Sequence, residues 1–373
     1  MKKIVGIIAA VAMATSVFAI DVASMLQLDG NLATFGKDKF NAFELNEWDP
    51  QGTADFVWKF SVSSDNAGAT IFNYSNTAGS VDNAVENENV KEWSLWFKPI
   101  DALKVTVGNI AYGSAQPHFG WWAKVIDHPD YGYQFDVNVD ALALSFAIGS
   151  EYQSGWGDPS LSTYWFDKSR TGFSKIGEFW AAASYDFGDI GKFGFSIDRG
   201  AKVNPHGFAQ TMCWQKTPLS FDFYYSNQPW GQTGYFADFA LVMREKADDA
   251  DKNVELDRLT GQLYGEIHAD AFTLYLIDVL ELNFDENAGK EGSTIKKFKD
   301  GFEIKAQYAI DAYTPYIQID GYGIMDKTLG IKTAVGFNVG AVAIDAGANF
   351  ALNFNDGADK CTVTVPIQFT INL

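Results

Sequence analysis

The sequence predicts an all-β chain: a transmembrane, antiparallel, up-and-down β-barrel of about eighteen strands, with about sixteen the next best count. Three observations lead there. Apolar and polar residues alternate with period two over most of the chain. Short turns and long polar loops alternate between those segments. After residue 20 no apolar run is long enough for a spanning helix. Composition sets the outer bounds. Of 373 residues, 15% are aromatic and 20% charged, too many rings and too few charges for disorder. Two cysteines cannot staple a small fold or build a zinc ribbon. A formal net charge of −19 opposes binding to nucleic-acid phosphates.

The N-terminus comes first. Lys2 and Lys3 precede an apolar stretch from Ile4 to Ala14, and Val17-Phe18-Ala19 has the small-residue form of a cleavage site. This reads as a signal peptide over residues 1–19, with a single barrel domain over 20–373. Its removal takes away two lysines and no acid, which moves the net charge to −21.

The strands follow. From Cys361 to Leu373 the odd positions read Cys, Val, Val, Ile, Phe, Ile, Leu and the even ones Thr, Thr, Pro, Gln, Thr, Asn. A strand sends successive side chains to opposite faces, so one face is apolar and the other polar. The pattern recurs at Phe302–Ile310, Leu219–Tyr225, Phe193–Asp198 and Leu142–Ile148. It recurs again at Phe272–Phe284, where Asp278 falls in the apolar set. Nineteen segments can be drawn, starting near 24, 53, 68, 91, 103, 132, 142, 177, 192, 207, 218, 234, 256, 272, 301, 313, 328, 341 and 360. An even number is expected, and the surplus segment falls between Lys192 and Glu255.

Turns separate the segments. Ile100-Asp-Ala-Leu103, Val139-Asp-Ala-Leu142, Ala269-Asp-Ala-Phe272 and Ile310-Asp-Ala-Tyr313 share one form. Gly188–Gly191 and Asn338–Ala341 are two more. Asp and Gly both suit tight turns. Between them lie long polar stretches such as 113–131, 150–177 and 285–300. A β-sandwich would also alternate, but its polar face is ordinary surface rich in Lys and Glu. Here that face is often Gly, Ala, Ser, Thr or Gln. Aromatics gather near strand ends, at Trp93, Phe97, Trp121, Trp122, Trp165, Phe166, Trp230, Tyr235 and Phe236, as interfacial girdles do.

The segment Trp93-Ser-Leu-Trp-Phe-Lys-Pro-Ile-Asp-Ala-Leu-Lys-Val-Thr-Val-Gly108 resembles hairpins of bacterial outer-membrane porin-like barrels, with some likeness to spirochaete-type major outer-membrane proteins. The resemblance implies a diffusion pore in the bacterial cell outer membrane. It also implies assembly by the barrel-insertion machinery. Porins typically end in Phe, whereas this chain ends in Leu373, with Phe369 internal.

The polar set then names the expected pore lining: Asp198, Asp222, Gln262, Glu266, Glu303, Lys305, Gln307, Gln318 and Asp320. Most of these charges are acidic, so passage of cations is expected to be preferred. The loop 150–177 is the first candidate for a constriction, through Trp156, Asp158, Trp165, Asp167, Lys168 and Arg170. The loop 113–131 is the second. Catalysis has little support. His118, His128, His206 and His268 form no known motif, and no phosphate loop or nucleophile elbow occurs. The acidic stretch Asp248–Glu255 lacks the glycine and spacing of a calcium loop. No metal or other cofactor is expected. Cys213 and Cys361 read as unpaired, buried thiols. The expected partners are outer-membrane lipid and small hydrophilic solutes or ions, not nucleic acid, and a monomer and a homotrimer fit equally. Two other readings stay open: a surface adhesin or structural barrel with a plugged lumen, and a soluble, exported, β-rich carbohydrate-binding protein.

Overall fold

The structure, a computed structural model, describes residues 19–37, 40–44, 54–76, 88–110, 115, 126–127, 131–149, 167–169, 175–200, 202–203, 217–227, 232–246, 253–286, 288–290, 296–323 and 326–372. The first strands are β1 (Ala19–Phe35), β2 (Phe40–Glu44), β3 (Ala54–Ser63), β4 (Ala67–Asn76), β5 (Glu88–Ile100), β6 (Leu103–Asn109) and β7 (Ile126–Asp127). Next come β8 (Tyr131–Val139), β9 (Leu142–Gly149), β10 (Phe179–Asp186), β11 (Lys192–Arg199), β12 (Lys202–Val203), β13 (Leu219–Ser226) and β14 (Gly234–Glu245). The last are β15 (Val254–Ala269), β16 (Phe272–Asn283), β17 (Phe298–Tyr308), β18 (Tyr313–Asp320), β19 (Thr328–Val339), β20 (Val342–Asn353) and β21 (Cys361–Asn372).

Every ladder is antiparallel, and the main sheet has 19 strands. It closes on itself because β1 pairs with β21 on one side and β3 on the other. Where β3 stops at Ala54↔Leu28, β2 continues along β1 from Glu44↔Asn31 to Phe40↔Phe35. The other 18 strands are the staves, and β7 with β12 forms a separate two-stranded sheet. The surplus segment in the sequence reading is the one near 207. β11 pairs directly with β13, from Lys192↔Ser226 to Asp198↔Ser220, and leaves no place for a stave between them.

The turns form where the sequence puts them. Asp140, Asp270 and Asp311 open two-residue turns with φ of 49°, 52° and 51°. Asp tolerates this left-handed conformation better than most residues, and the twist of such turns matches that of the strands. In the β19–β20 hairpin Gly340, at φ 61°, does the same work between the paired Val339 and Val342. This is one residue later than the spacing predicts. Every second connection is short, so Ala19 and Asn372, which begin β1 and end β21, lie on the rim of the short turns, and the longer connections join strands at the opposite rim.

Burial is inverted relative to a soluble protein. On β9, Leu142 and Leu144 are exposed, whereas Ala143, Ser145, Ala147 and Gly149 are buried. On β13, Phe223 is 49% exposed and its neighbour Asp222 is 0% exposed. A sandwich would bury the apolar set. Leaving it outside in water forfeits about 25 cal/mol for each Å². An apolar exterior on a closed ladder suits a bilayer, which satisfies no sheet edge. A belt of rings runs around the short-turn rim: Tyr185, Phe187, Phe193, Tyr225 and Tyr235, with successive centroids 4.6, 5.7, 4.6 and 5.4 Å apart. Phe236 departs from the girdle reading. It is buried inside with Tyr224, Tyr264, Ile277 and Val279. Trp121, Trp122, Trp165, Phe166 and Trp230 lie outside the described residues. Cys361 is unpaired and exposed rather than buried, because its apolar set is the outer one. Cys213 lies outside the described residues.

Candidate functional site

The lumen is the candidate site, and its two walls differ. One wall, from β8 to β16, is sealed. Asp198, Asp222, Ser196 and Ser220 are fully buried there, and Gln262 and Glu266 are 1% exposed. The other wall, from β17 to β21, is only partly covered along its inner face.

Ala115 covers part of the first wall. It belongs to the long connection after β6, yet it is fully buried against Ala143, Ala147, Trp180 and Ala182 on the inner face of β9 and β10. Its backbone is held from both sides. Its N–H donates to Ser145 Oγ at 3.0 Å. Its carbonyl accepts from the Tyr224 hydroxyl. Ser145 in turn donates to Asp136 Oδ1 at 2.6 Å, and Gln134 Nε2 donates to Asp136 Oδ2 at 2.7 Å. The Tyr224 ring reaches Ala115 because its ladder partner is Gly194. A Cβ there would lie 2.0 Å from the ring. At Ala115 the connection thus reaches the inner face of the wall.

On the open wall Tyr316 organises the charge. Lys305 Nζ stands 4.4 Å and Lys332 Nζ 5.3 Å from its ring centroid. Its hydroxyl donates to Asp345 Oδ1 at 3.0 Å, and Lys332 lies 3.7 Å from the same carboxylate oxygen. Beyond the end of β18, Tyr322 donates to Glu303 Oε2 at 3.1 Å. Burial, reinforced by the Glu303 carboxylate, raises its phenol above the usual range. At the long-loop rim Arg244 on β14 meets Glu255 on β15 at 2.9 Å and also Asp285 in the connection after β16.

The ladder registers put all nine sequence-predicted lining residues on the inner face. Glu303, Lys305 and Gln307 pair with Asp320, Gln318 and Tyr316 on the open wall. Asp198, Asp222, Gln262 and Glu266 share that face but sit on the sealed wall. Of the constriction-loop candidates, Asp167 and Lys168 are described. Asp167 caps a local turn by accepting from Ser169 N at 2.9 Å. Trp156, Asp158, Trp165 and Arg170 lie outside the described residues, as do His118, His128 and His206. His268 faces inward, with Nε2 3.1 Å from Glu266 Oε1. Asp136, Ser145, Tyr224, Lys332 and Asp345 also face the lumen. The alternation places each in the polar set, but only the tertiary contacts give them a role.

No protein-family model and no curated protein matches the sequence. Solved structures do match in shape. A BenF-like porin from Pseudomonas fluorescens Pf-5 aligns with a TM-score of 0.53 at 10% identity, covering 95% of this chain and 98% of that one. The outer membrane proteins OpdK and OprD from Pseudomonas aeruginosa each align with a TM-score of 0.51 at 9% identity. OpdK covers 95% of this chain and 98% of its own, and OprD 96% of each. The chain has the porin barrel fold. At this identity the likeness concerns the fold alone.

Proposed function

We propose that this protein is a passive channel of the bacterial outer membrane for small hydrophilic solutes, with a preference for cations. The observation that carries the proposal is the inverted burial of a closed 18-stave barrel. Barrels of 16–18 strands leave room for an aqueous path. Residues 1–19 serve export, and the remainder inserts as one domain. The inner face carries an acidic excess through Asp136, Asp198, Asp222, Asp238, Glu266, Glu281, Glu303, Asp320 and Asp345. Asp186 shares that face, and against these acids stand Lys59, Lys104, Lys192, Lys299, Lys305, Lys332 and Arg258, so the acids remain in excess. Sealed carboxylates contribute through the field, and Glu303 and Asp320 meet solute more directly. The porin fold supports assembly by the barrel-insertion machinery, and a monomer or a homotrimer satisfies it equally.

The test is heat-modifiable gel mobility of the detergent-extracted membrane fraction, followed by planar-bilayer conductance. A folded band that shifts on boiling and discrete conductance steps are expected, and absence of any step favours a plugged structural barrel. Extraction into plain aqueous buffer would sink the membrane reading. An anion-selective reversal potential in a salt gradient would sink the cation preference alone.

A further inference from the structure

At the long-loop end of the open wall a cavity of about 510 Å³ faces the lumen, formed by the ends of β18 to β21 and the connection between β20 and β21. Six polar side chains surround it: Asp320, Thr328, Asn349, Asn353, Asp359 and Thr362. Five of them project from strands, at inward positions of the ladders. The floor is made small by Gly330 and Ala351. Glycine at 330 is needed sterically, because a Cβ there would lie 2.2 Å from Asp320 Oδ2. The carboxylate can therefore lie flat against the wall and leave the space open.

The lining selects a chemistry by elimination. It contains no Lys, Arg or His, so nothing neutralises an anion. It contains no aromatic ring. Leu329 and Leu352 also border it, but they pair with each other at outward positions of the ladder, so the side chains that project inward are polar or small. Three lysines near it are engaged elsewhere: Lys360 Nζ donates to the Asn355 carbonyl at 2.5 Å, Lys296 meets Asp326, and Lys332, the ladder partner of Asn349, lies 3.7 Å from Asp345. Asp359 is exposed, so its attraction for a cation is screened by water. Hydrogen-bonding capacity then outweighs net charge. Among the described residues, the side chains of Asn349 and Thr362 find no hydrogen-bond partner, although their backbones belong to the ladders. Asn353 Oδ1 accepts locally from Asn355 N and Nδ2, each at 3.0 Å, and Thr328 donates to Gly323 O at 3.0 Å. Amides and hydroxyls that both donate and accept, beside carboxylates that only accept, match groups that also do both. Those groups are vicinal hydroxyls.

We infer that this cavity is an entry subsite for a small polyhydroxylated solute of the monosaccharide class. The inference rests on the channel reading for its physiological meaning but not for its test. The cavity falls within the usual range for small-molecule sites, roughly 300–1,000 Å³.

The experiment titrates the detergent-solubilised, full-length barrel with glucose by calorimetry, and in parallel records current through it in a planar bilayer with glucose on either side. Saturable binding is expected, together with current interruptions that depend on the side of addition. The double variant N349A/T362A removes two hydrogen-bonding groups and is expected to weaken binding roughly tenfold or more. Gly330→Ala tests the same cavity from its floor and is expected to act in the same direction. Heat-modifiable mobility of each variant shows that it folds. Binding that is lost in the variants while no channel activity exists would sink the channel reading and keep the subsite. Conductance without glucose binding, equal binding in wild type and folded variants, or binding of ethylammonium but not glucose would each overturn the subsite.

Discussion

Tyr224→Phe isolates the clip that holds the inward loop. The substitution leaves the ring over Gly194 and removes only the hydroxyl that donates to the Ala115 carbonyl. Ala115 is fully buried, so its carbonyl loses its bond without gaining water. A buried group left without its partner costs about 1–3 kcal/mol. The loop keeps its second hold, the 3.0 Å bond from Ala115 N to Ser145 Oγ. The clipped state should therefore weaken rather than vanish. A loss of about 1.4 kcal/mol raises the released population roughly tenfold. Single-channel recording is expected to show more frequent visits to a higher conductance level. Hydrogen exchange at Ala115 is expected to speed by a similar factor, and this readout does not depend on the protein being a channel. Unchanged exchange and unchanged current noise in a folded variant would refute the clip. Gly194→Ala perturbs the same contact from beneath, by pushing the ring, and should reproduce both effects.

Other outcomes follow from the two faces of the barrel. Asp278 lies on the outer face, flanked by Leu263 and Phe302 in register, and its side chain is exposed. Replacing it with Leu should raise the urea midpoint of the lipid-embedded barrel by about 1–2 kcal/mol of stability, because carboxylates suit the lipid face poorly. A lowered midpoint would show that this face meets something other than lipid. Cys361 is exposed at the start of β21, beside the long loops. In a Cys213→Ser background, a membrane-impermeant maleimide should label it on intact cells. Labelling only after lysis would reverse the barrel's orientation. Lys305→Glu exchanges a cation for an acid beside Tyr316, and the reversal potential should move toward stronger cation selectivity. A shift the other way would remove Lys305 from the conducting path.

Much of the architecture is legible in the chain because strand geometry is local. Side chains two residues apart share a face, so the alternation from Phe302 to Ile310 or Leu142 to Ile148 specifies an apolar surface and a polar one with no knowledge of neighbours. The Asp turns are local for the same reason, since a single residue decides whether the backbone turns left-handed. The stave count was nearly legible. It required only removing a segment whose place is denied by a ladder between residues more than 20 positions apart, β11 with β13.

The site was legible only in part. Parity assigned Asp198, Asp222, Gln262 and Glu266 to the inner face, and no local rule could tell that they would be sealed. The wall they sit on is covered at β9 and β10 by Ala115, which is bonded 30 residues away at Ser145 and 109 residues away at Tyr224. The sequence therefore determined the staves, their turns and the side of the sheet each residue occupies, because backbone pleating and turn sterics act over a few residues. The tertiary structure alone decided which wall of the lumen is covered and which is open, because that depends on where a long loop finds hydrogen-bond partners once the cylinder has closed.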